Sequence, residues 1–231
     1  MIKQAIKNWL EKKGYTIIKT TPEAVEEMIP EQLPSHLFEN SRVYSRREDV
    51  LSGIPKNAVI AEVGVGYGYF SALLLEHAQP QKFIAIDSFA FTPGNEPWKQ
   101  TFLKDSGLSH LEYYRQKFSN EIGTGQIEIC KGLSWDCLEK LPDQSLDYLY
   151  LDAGHSYEEV KKDIRALKSK MKNTGIIQFN DYTLFDAFAL IPYGVPKAVH
   201  EFILEENYEV IGLCLHRQFF SDLIVRKRVN Q

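Results

Sequence analysis

The stretch Ala58-Val59-Ile60-Ala61-Glu62-Val63-Gly64-Val65-Gly66-Tyr67-Gly68 decides how this chain folds. A largely β-branched, apolar run from Ala58 to Val63 enters three glycines at alternate positions. A helix-like stretch comes next over 69–77, and a second apolar run, Phe83 to Ile86, ends in Asp87. Glycine lets the backbone turn sharply and lets a ligand approach where a Cβ would collide. Asp87 stands 21 residues after Gly66, close to the spacing at which an acid meets a ribose in a nucleotide-binding βαβ unit.

Outward from this unit the chain alternates helix and strand. Strands are expected near 58–63, 82–86, 126–130, 145–151 and 175–179, then two more at 208–215 and 219–226. Helices are expected over 42–57, 69–77, 98–105, 108–120, 134–140, 156–171 and 195–205. Ser156 and Glu159 form a capping-box signature, and Tyr157, Val160, Ile164, Leu167 and Met171 recur at helical spacing. The last two strands are joined by too few residues for a crossover, so they must be antiparallel. The expected architecture is α/β: a doubly wound, mostly parallel, seven-stranded Rossmann-like sheet with an antiparallel terminal strand. It occupies 42–231. Residues 1–41 read as a small helical appendage, with a helix through Ile2, Ala5, Ile6, Trp9 and Leu10 ended by Gly14, a short strand over 15–19 and a short helix over 22–28.

Composition limits the partners. A net charge of −4 and a basic tail of only Arg226-Lys227-Arg228 argue against nucleic acid. No apolar run reaches membrane-spanning length, and Met1-Ile2-Lys3-Gln4 does not begin a secretory signal. Three cysteines, Cys130, Cys137 and Cys214, lack metal spacing and are expected as reduced thiols of a cytoplasmic protein.

The glycine pattern has Tyr69 where a dinucleotide fold would place a further glycine, and an acid, Glu62, just before it. The first argues against a pyrophosphate, and the second disfavours an anionic phosphate and suits a cationic ligand. Glu62-x-Gly64-x-Gly66-x-Gly68 with Asp87 resembles the binding signature of class I S-adenosylmethionine-dependent methyltransferases, over about residues 42–228. The resemblance implies S-adenosylmethionine as cofactor. It places Gly64, Gly66 and Gly68 at the methionine part, Asp87 at the ribose, and Gly132, Leu133 and Ser134 near the adenine, with Glu62 and Ser88 also among the cofactor-binding residues.

A second constellation lies at later strand ends, where open α/β sheets place ligands. One strand ends Leu151-Asp152-Ala153-Gly154-His155-Ser156, and the next ends Phe179-Asn180-Asp181-Tyr182. Asp152, Asn180 and Asp181 are candidate ligands for Mg²⁺ or a similar hard cation. His155, which titrates near neutrality, is the candidate base. Asp152-x-x-His155-Ser156-Tyr157, Gly175-x-x-x-x-x-Asp181 and Gly194-Val195-x-x-Ala198-Val199 resemble the small-molecule methyltransferases of sugar and antibiotic tailoring. Catechol O-methyltransferases, which this strand also resembles, carry a catalytic Lys at the His155 offset and an Asp-Asn pair where this chain has Asn180-Asp181. The resemblance implies methyl transfer to a hydroxyl of a sugar or phenol, with Asp152 beside both cofactor and metal, and a possible homo-oligomer. Phe91, Trp98 and Tyr193 are candidate walls of the acceptor pocket. The alternatives are a non-catalytic cofactor-binding module and an NAD-linked oxidoreductase, which the missing later glycine and Glu62 disfavour.

Overall fold

The Ala58–Gly68 stretch is a buried strand running into a left-handed turn in the computed structural model, which describes residues 9–10, 13, 23, 26–97, 100–188, 190–216 and 220–228. The strands are β1 (Arg42–Tyr44), β2 (Val59–Val63), β3 (Lys82–Asp87), β4 (Ile127–Lys131), β5 (Leu146–Leu151), β6 (Met171–Phe179), β7 (Phe185–Asp186), β8 (Ile191–Pro192), β9 (Tyr208–Leu215) and β10 (Ser221–Lys227). The helices are α1 (Tyr69–Leu73, continued by a π-helical turn Leu74–Ala78), α2 (Phe102–Ser106), α3 (His110–Lys117), α4 (Ser119–Gly123), α5 (Ser134–Glu139), α6 (Tyr157–Leu167) and α7 (Val195–Glu205).

The main sheet runs β1-β9-β10-β6-β5-β2-β3-β4. β10 is antiparallel to both β6 and β9, and the other neighbours are parallel. β2 lies between β3 and β5, so the glycine turn opens at the middle of the sheet. Helices cover both faces, which is why these strands read as continuous apolar runs. On one face Val63, Ile86, Leu149 and Phe179 join Leu138, Ile164 and Phe202. On the other Ile60, Phe83 and Tyr150 join Phe70, Leu74 and Tyr114.

Four expectations need correction. The sheet has an eighth strand, because Arg42–Tyr44 pairs with β9 from Arg42 opposite Gly212 to Tyr44 opposite Cys214. Beyond β1 the chain forms a 3₁₀ segment, Arg47–Gly53, rather than a long helix. The helix beginning at Tyr157 stops at Leu167: Lys170 N–H closes a turn on the Leu167 carbonyl, and Met171, though at helical spacing, opens β6 by pairing with Leu146. Cys130 and Cys137 form a disulfide, while Cys214 is free and buried. A sharp turn through Gly132 brings the end of β4 over the first turns of α5, so sulfurs seven positions apart meet.

Residues 26–40 pack on the far end of the sheet. Leu33 and Leu37 enter the core beside α7, Lys197 Nζ donates to the Glu27 carbonyl, and His200 Nδ1 donates to the Glu31 carbonyl. The strand expected over 15–19, the helix before Trp9 and the side chain of Trp98 lie outside the described residues.

Candidate functional site

The glycine turn and Asp87 form one unit. Gly64, Gly66 and Gly68 have φ of +90°, +49° and +70°, a region other residues enter at a cost. A Cβ on Gly64 would stand 1.8 Å from the Asp152 carbonyl oxygen, whereas one on Gly66 would meet nothing within 4 Å. The Asp87 carboxylate accepts from Gly66 N–H at 3.1 Å and Phe89 N–H at 2.6 Å. Ser88 and Leu133 are exposed, and Gly66 and Asp87 are partly so. The Asp87 carbonyl accepts from Gly132 N–H at 3.0 Å, which ties the end of β3 to the turn before α5. The space over Gly66 is open, with the Asp87 carboxylate hydrogen-bonded at its edge.

Glu62 is placed otherwise than the signature suggests. It is 1% exposed, beneath the turn, and its carboxylate accepts from Ser71 Oγ at 2.5 Å. Burial pushes its pKa well up, against the pull of the Ser71 hydroxyl, and its carboxylate is turned into the protein rather than towards the open turn. Tyr114 donates to Ser71 and completes the buried chain.

Two residues that brace the turn escaped the sequence reading. His110 Nε2 donates to the Gly66 carbonyl at 2.7 Å, and its ring stacks on Phe91 with centroids 4.4 Å apart. Lys117 Nζ donates to the carbonyls of Tyr67 and Gly68, both at 2.9 Å. Ser109 and Glu112 make a capping box that starts α3 at His110. That cap is visible in the sequence; the contact across 44 residues is not. Phe91 thus anchors a loop beside the turn.

The second constellation converges at the carboxyl ends of β5 and β6. Asp152, His155 and Asp181 each bring a ligand atom within 4.8 Å of the others. His155 Nε2 faces Asp152 Oδ1 at 3.5 Å and Asp181 Oδ2 at 3.4 Å. Burial alone would lower the imidazole pKa, but the two carboxylates raise it above its ordinary value. Burial, reinforced by Asp152, pushes Asp181 up to about 7. Two carboxylates sharing a part-buried rim favour a cation between them, whether a proton on His155 or a metal ion. The Tyr193 ring stacks on His155, with centroids 4.5 Å apart and planes 11° from parallel, and its hydroxyl donates to Asp186 at 2.8 Å. Gly194 N–H donates to the His155 carbonyl, and a Cβ there would lie 2.2 Å from Tyr157 N. The start of α7 therefore holds the His155 turn in place.

Asn180 is tied through its amide nitrogen to a buried carboxylate. It is 3% exposed, and Nδ2 donates to Asp222 Oδ1 at 3.1 Å. Asp222 also accepts from Gln178 and faces the Arg47 guanidinium at 3.4 Å; Arg47 in turn donates to Tyr150 at 2.9 Å. Burial pushes Asp222 up to about 6 despite Arg47. This buried network lies under the rim and fixes the backbone that carries Asp181, whose own φ is +51°.

The comparisons agree with this geometry. A family model described as a methyltransferase domain matches residues 61–182, more than half of the chain. Among solved structures, a SAM-dependent methyltransferase from Aquifex aeolicus matches with a TM-score of 0.52 and 16% identity over 90% of this chain and 98% of that one. A precorrin-6y C5,15-methyltransferase from Geobacter metallireducens matches with a TM-score of 0.51 and 17% identity over 78% and 87%. A ribosomal protein L11 methylase from Lactobacillus delbrueckii matches with a TM-score of 0.52 and 15% identity over 78% and 77%. No curated protein matches by sequence. At these identities the solved structures speak to the fold, while the family match spans the glycine turn, Asp87 and the Asp152–Asp181 rim. The chain belongs to the methyltransferase family, which implies S-adenosylmethionine as the methyl donor.

Proposed function

We propose that this methyltransferase acts on a hydroxyl of a small molecule, a sugar or a phenol, with His155 as the proton acceptor. The observation that carries this reading is the Asp152–His155–Asp181 cluster beside Gly64. A methyltransferase acting on a hydroxyl must generate an oxygen nucleophile, and this rim has the groups to do so. S-adenosylmethionine, when bound, supplies an electrophilic methyl on a positively charged sulfur.

The chain's own residues do the rest. The turn Gly64–Gly68 leaves room for the methionine part, Asp87 and Ser88 take the ribose hydroxyls, and Gly132, Leu133 and Ser134 flank the adenine. His155 accepts the hydroxyl proton, and the Asp152 and Asp181 carboxylates stabilise the resulting imidazolium. Tyr193 keeps the imidazole plane fixed while this happens. The two carboxylates would also hold Mg²⁺ or a similar hard cation, which when bound lowers the pKa of a coordinated hydroxyl. The net charge of −4 favours a small acceptor over a polyanion.

A screen of sugars, catechols and other phenols with S-adenosylmethionine, read by product mass, tests the proposal. Products gaining one methyl on oxygen are expected, with His155→Gln lowering kcat by roughly 10²-fold or more. Methylation only of nucleic acid or protein, or full turnover by His155→Gln, would overturn it.

A further inference from the structure

The disulfide between Cys130 and Cys137 has no part in the chemistry above, yet it encloses the turn assigned to the adenine. Cys130 is on β4 and Cys137 is in α5, with Cα atoms 6.0 Å apart. The six residues between them are Lys131 to Asp136, and they include Gly132, Leu133 and Ser134. Gly132 N–H donates to the Asp87 carbonyl at 3.0 Å, and Lys131 pairs with Asp87 in register. Cys137 N–H donates to the Leu133 carbonyl at 3.1 Å, and a Cβ on Gly132 would lie 3.5 Å from Cys137 Sγ. The cross-link is thus the floor of the segment that would bear the nucleoside, one hydrogen bond from the ribose acid. The two sulfurs differ in access: Cys137 is fully buried and Cys130 only partly.

We propose that Cys130 and Cys137 are a reversible redox-modification site that sets the affinity of the nucleoside pocket. The inference rests on the reading that the adenosine of the methyl donor lies against Gly132–Ser134. An external dithiol reduces the bond. Its thiolate attacks Cys130 Sγ, the accessible sulfur, and the S–S bond breaks. Cys137 leaves as a thiolate and takes up a proton. The reductant's second thiol then displaces Cys130 and the reductant ends as its own disulfide, so two electrons and two protons reach the protein. The reverse step needs a disulfide oxidant of the same class. With the ring closed, the turn samples fewer conformations before binding, so less ordering is required of it when the ligand arrives. The oxidised protein is the tighter binder.

The test is calorimetric titration of the full chain with S-adenosylhomocysteine, oxidised and after dithiothreitol, with thiols counted in denaturant. One free thiol is expected in the oxidised protein, Cys214, and three after reduction. Affinity is expected to fall about three- to tenfold on reduction. Cys130→Ser should bind like the reduced protein and be indifferent to dithiothreitol; Cys137→Ala, which keeps a small apolar group in the core, should do the same. Equal affinity in both redox states, or three free thiols even after treatment with oxidised dithiothreitol, would overturn the proposal. Failure of the folded protein to bind in either state would instead overturn the cofactor reading, and this inference with it.

Discussion

Gly64 lies so close to Asp152 that a Cβ on the glycine would stand 1.8 Å from the aspartate carbonyl oxygen. Asp152 N–H also donates to the Val63 carbonyl at 2.7 Å. The turn that would grip the methyl donor and the residue that begins the proposed catalytic rim are therefore one rigid joint between β2 and β5. In a displacement reaction, donor and acceptor must be held in line, and a shared backbone joint is a direct way to hold them.

Two glycines of the turn should respond differently to the same change. Gly64→Ala drives a Cβ into main chain that cannot move without breaking β5, so stability should fall by about 3 kcal/mol or more. Gly66→Ala meets open space and should cost only about 1–2 kcal/mol of left-handed strain. It should nonetheless weaken S-adenosylhomocysteine binding at least about tenfold, because the methyl enters the ligand's space. Thermal unfolding and calorimetry on both variants check this; intact affinity in Gly66→Ala would move the ligand off the turn.

The rim predicts a pH-dependent stability in the metal-free protein. Asp181 has a folded-state value near 7, above its unfolded value. A carboxylate raised in this way gives its full stabilisation below the unfolded value and loses it as pH rises through about 7. Asp181→Asn removes that loss and retains a residue type that tolerates positive φ. In EDTA at pH 8.5 the variant should melt about 2–6 °C above the wild type, with the gap narrowing as pH falls below about 7 and closing only towards pH 4. A gap that widens on acidification would contradict the assignment. Turnover should fall in the same variant.

Metal removal separates the two roles of the rim. Asp152→Asn should lower turnover about 10²-fold or more. EDTA should lower the turnover of the wild type, and Mg²⁺ should restore it. Full turnover in EDTA would remove the metal ion from the account and leave His155 and its carboxylates as the whole apparatus.

The brace on the turn is open to direct test. His110→Ala leaves the Gly66 carbonyl without its donor and opens a gap beside Phe91. Affinity for S-adenosylhomocysteine should fall about three- to thirtyfold, as expected for one lost buried hydrogen bond. His110→Gln, which can still donate, should recover most of it.

Features that depend on local sequence were the legible ones. The glycine turn and Asp87, the Ser156–Glu159 capping box and the span of α7 depend on neighbours within one or two turns of chain, and all lie where the pattern indicated. Asp152, His155 and Asp181 could be brought together on paper because adjacent parallel strands end on one edge. Contacts made by tertiary packing left no such trace. His110 and Lys117 reach the turn from α3, and Arg47 reaches Tyr150 across 103 positions. Asn180 sits beside Asp181 in sequence, but the chain leaves β6 at Phe179 and turns through Asp181 at φ +51°, while the Asn180 amide nitrogen bonds into the buried Asp222 network. The disulfide depends on how sharply Gly132 turns β4 towards α5, and β1 is too short to stand out as a strand at all.

Calorimetric titration with S-adenosylhomocysteine of the wild type and of Asp87→Asn tests the central claim most directly. One molecule bound per chain is expected, with affinity at least about tenfold weaker in the variant, since a charged acceptor for the ribose hydroxyls is replaced by a neutral one. No binding by the folded wild type, or equal affinity in the two proteins, would contradict the account.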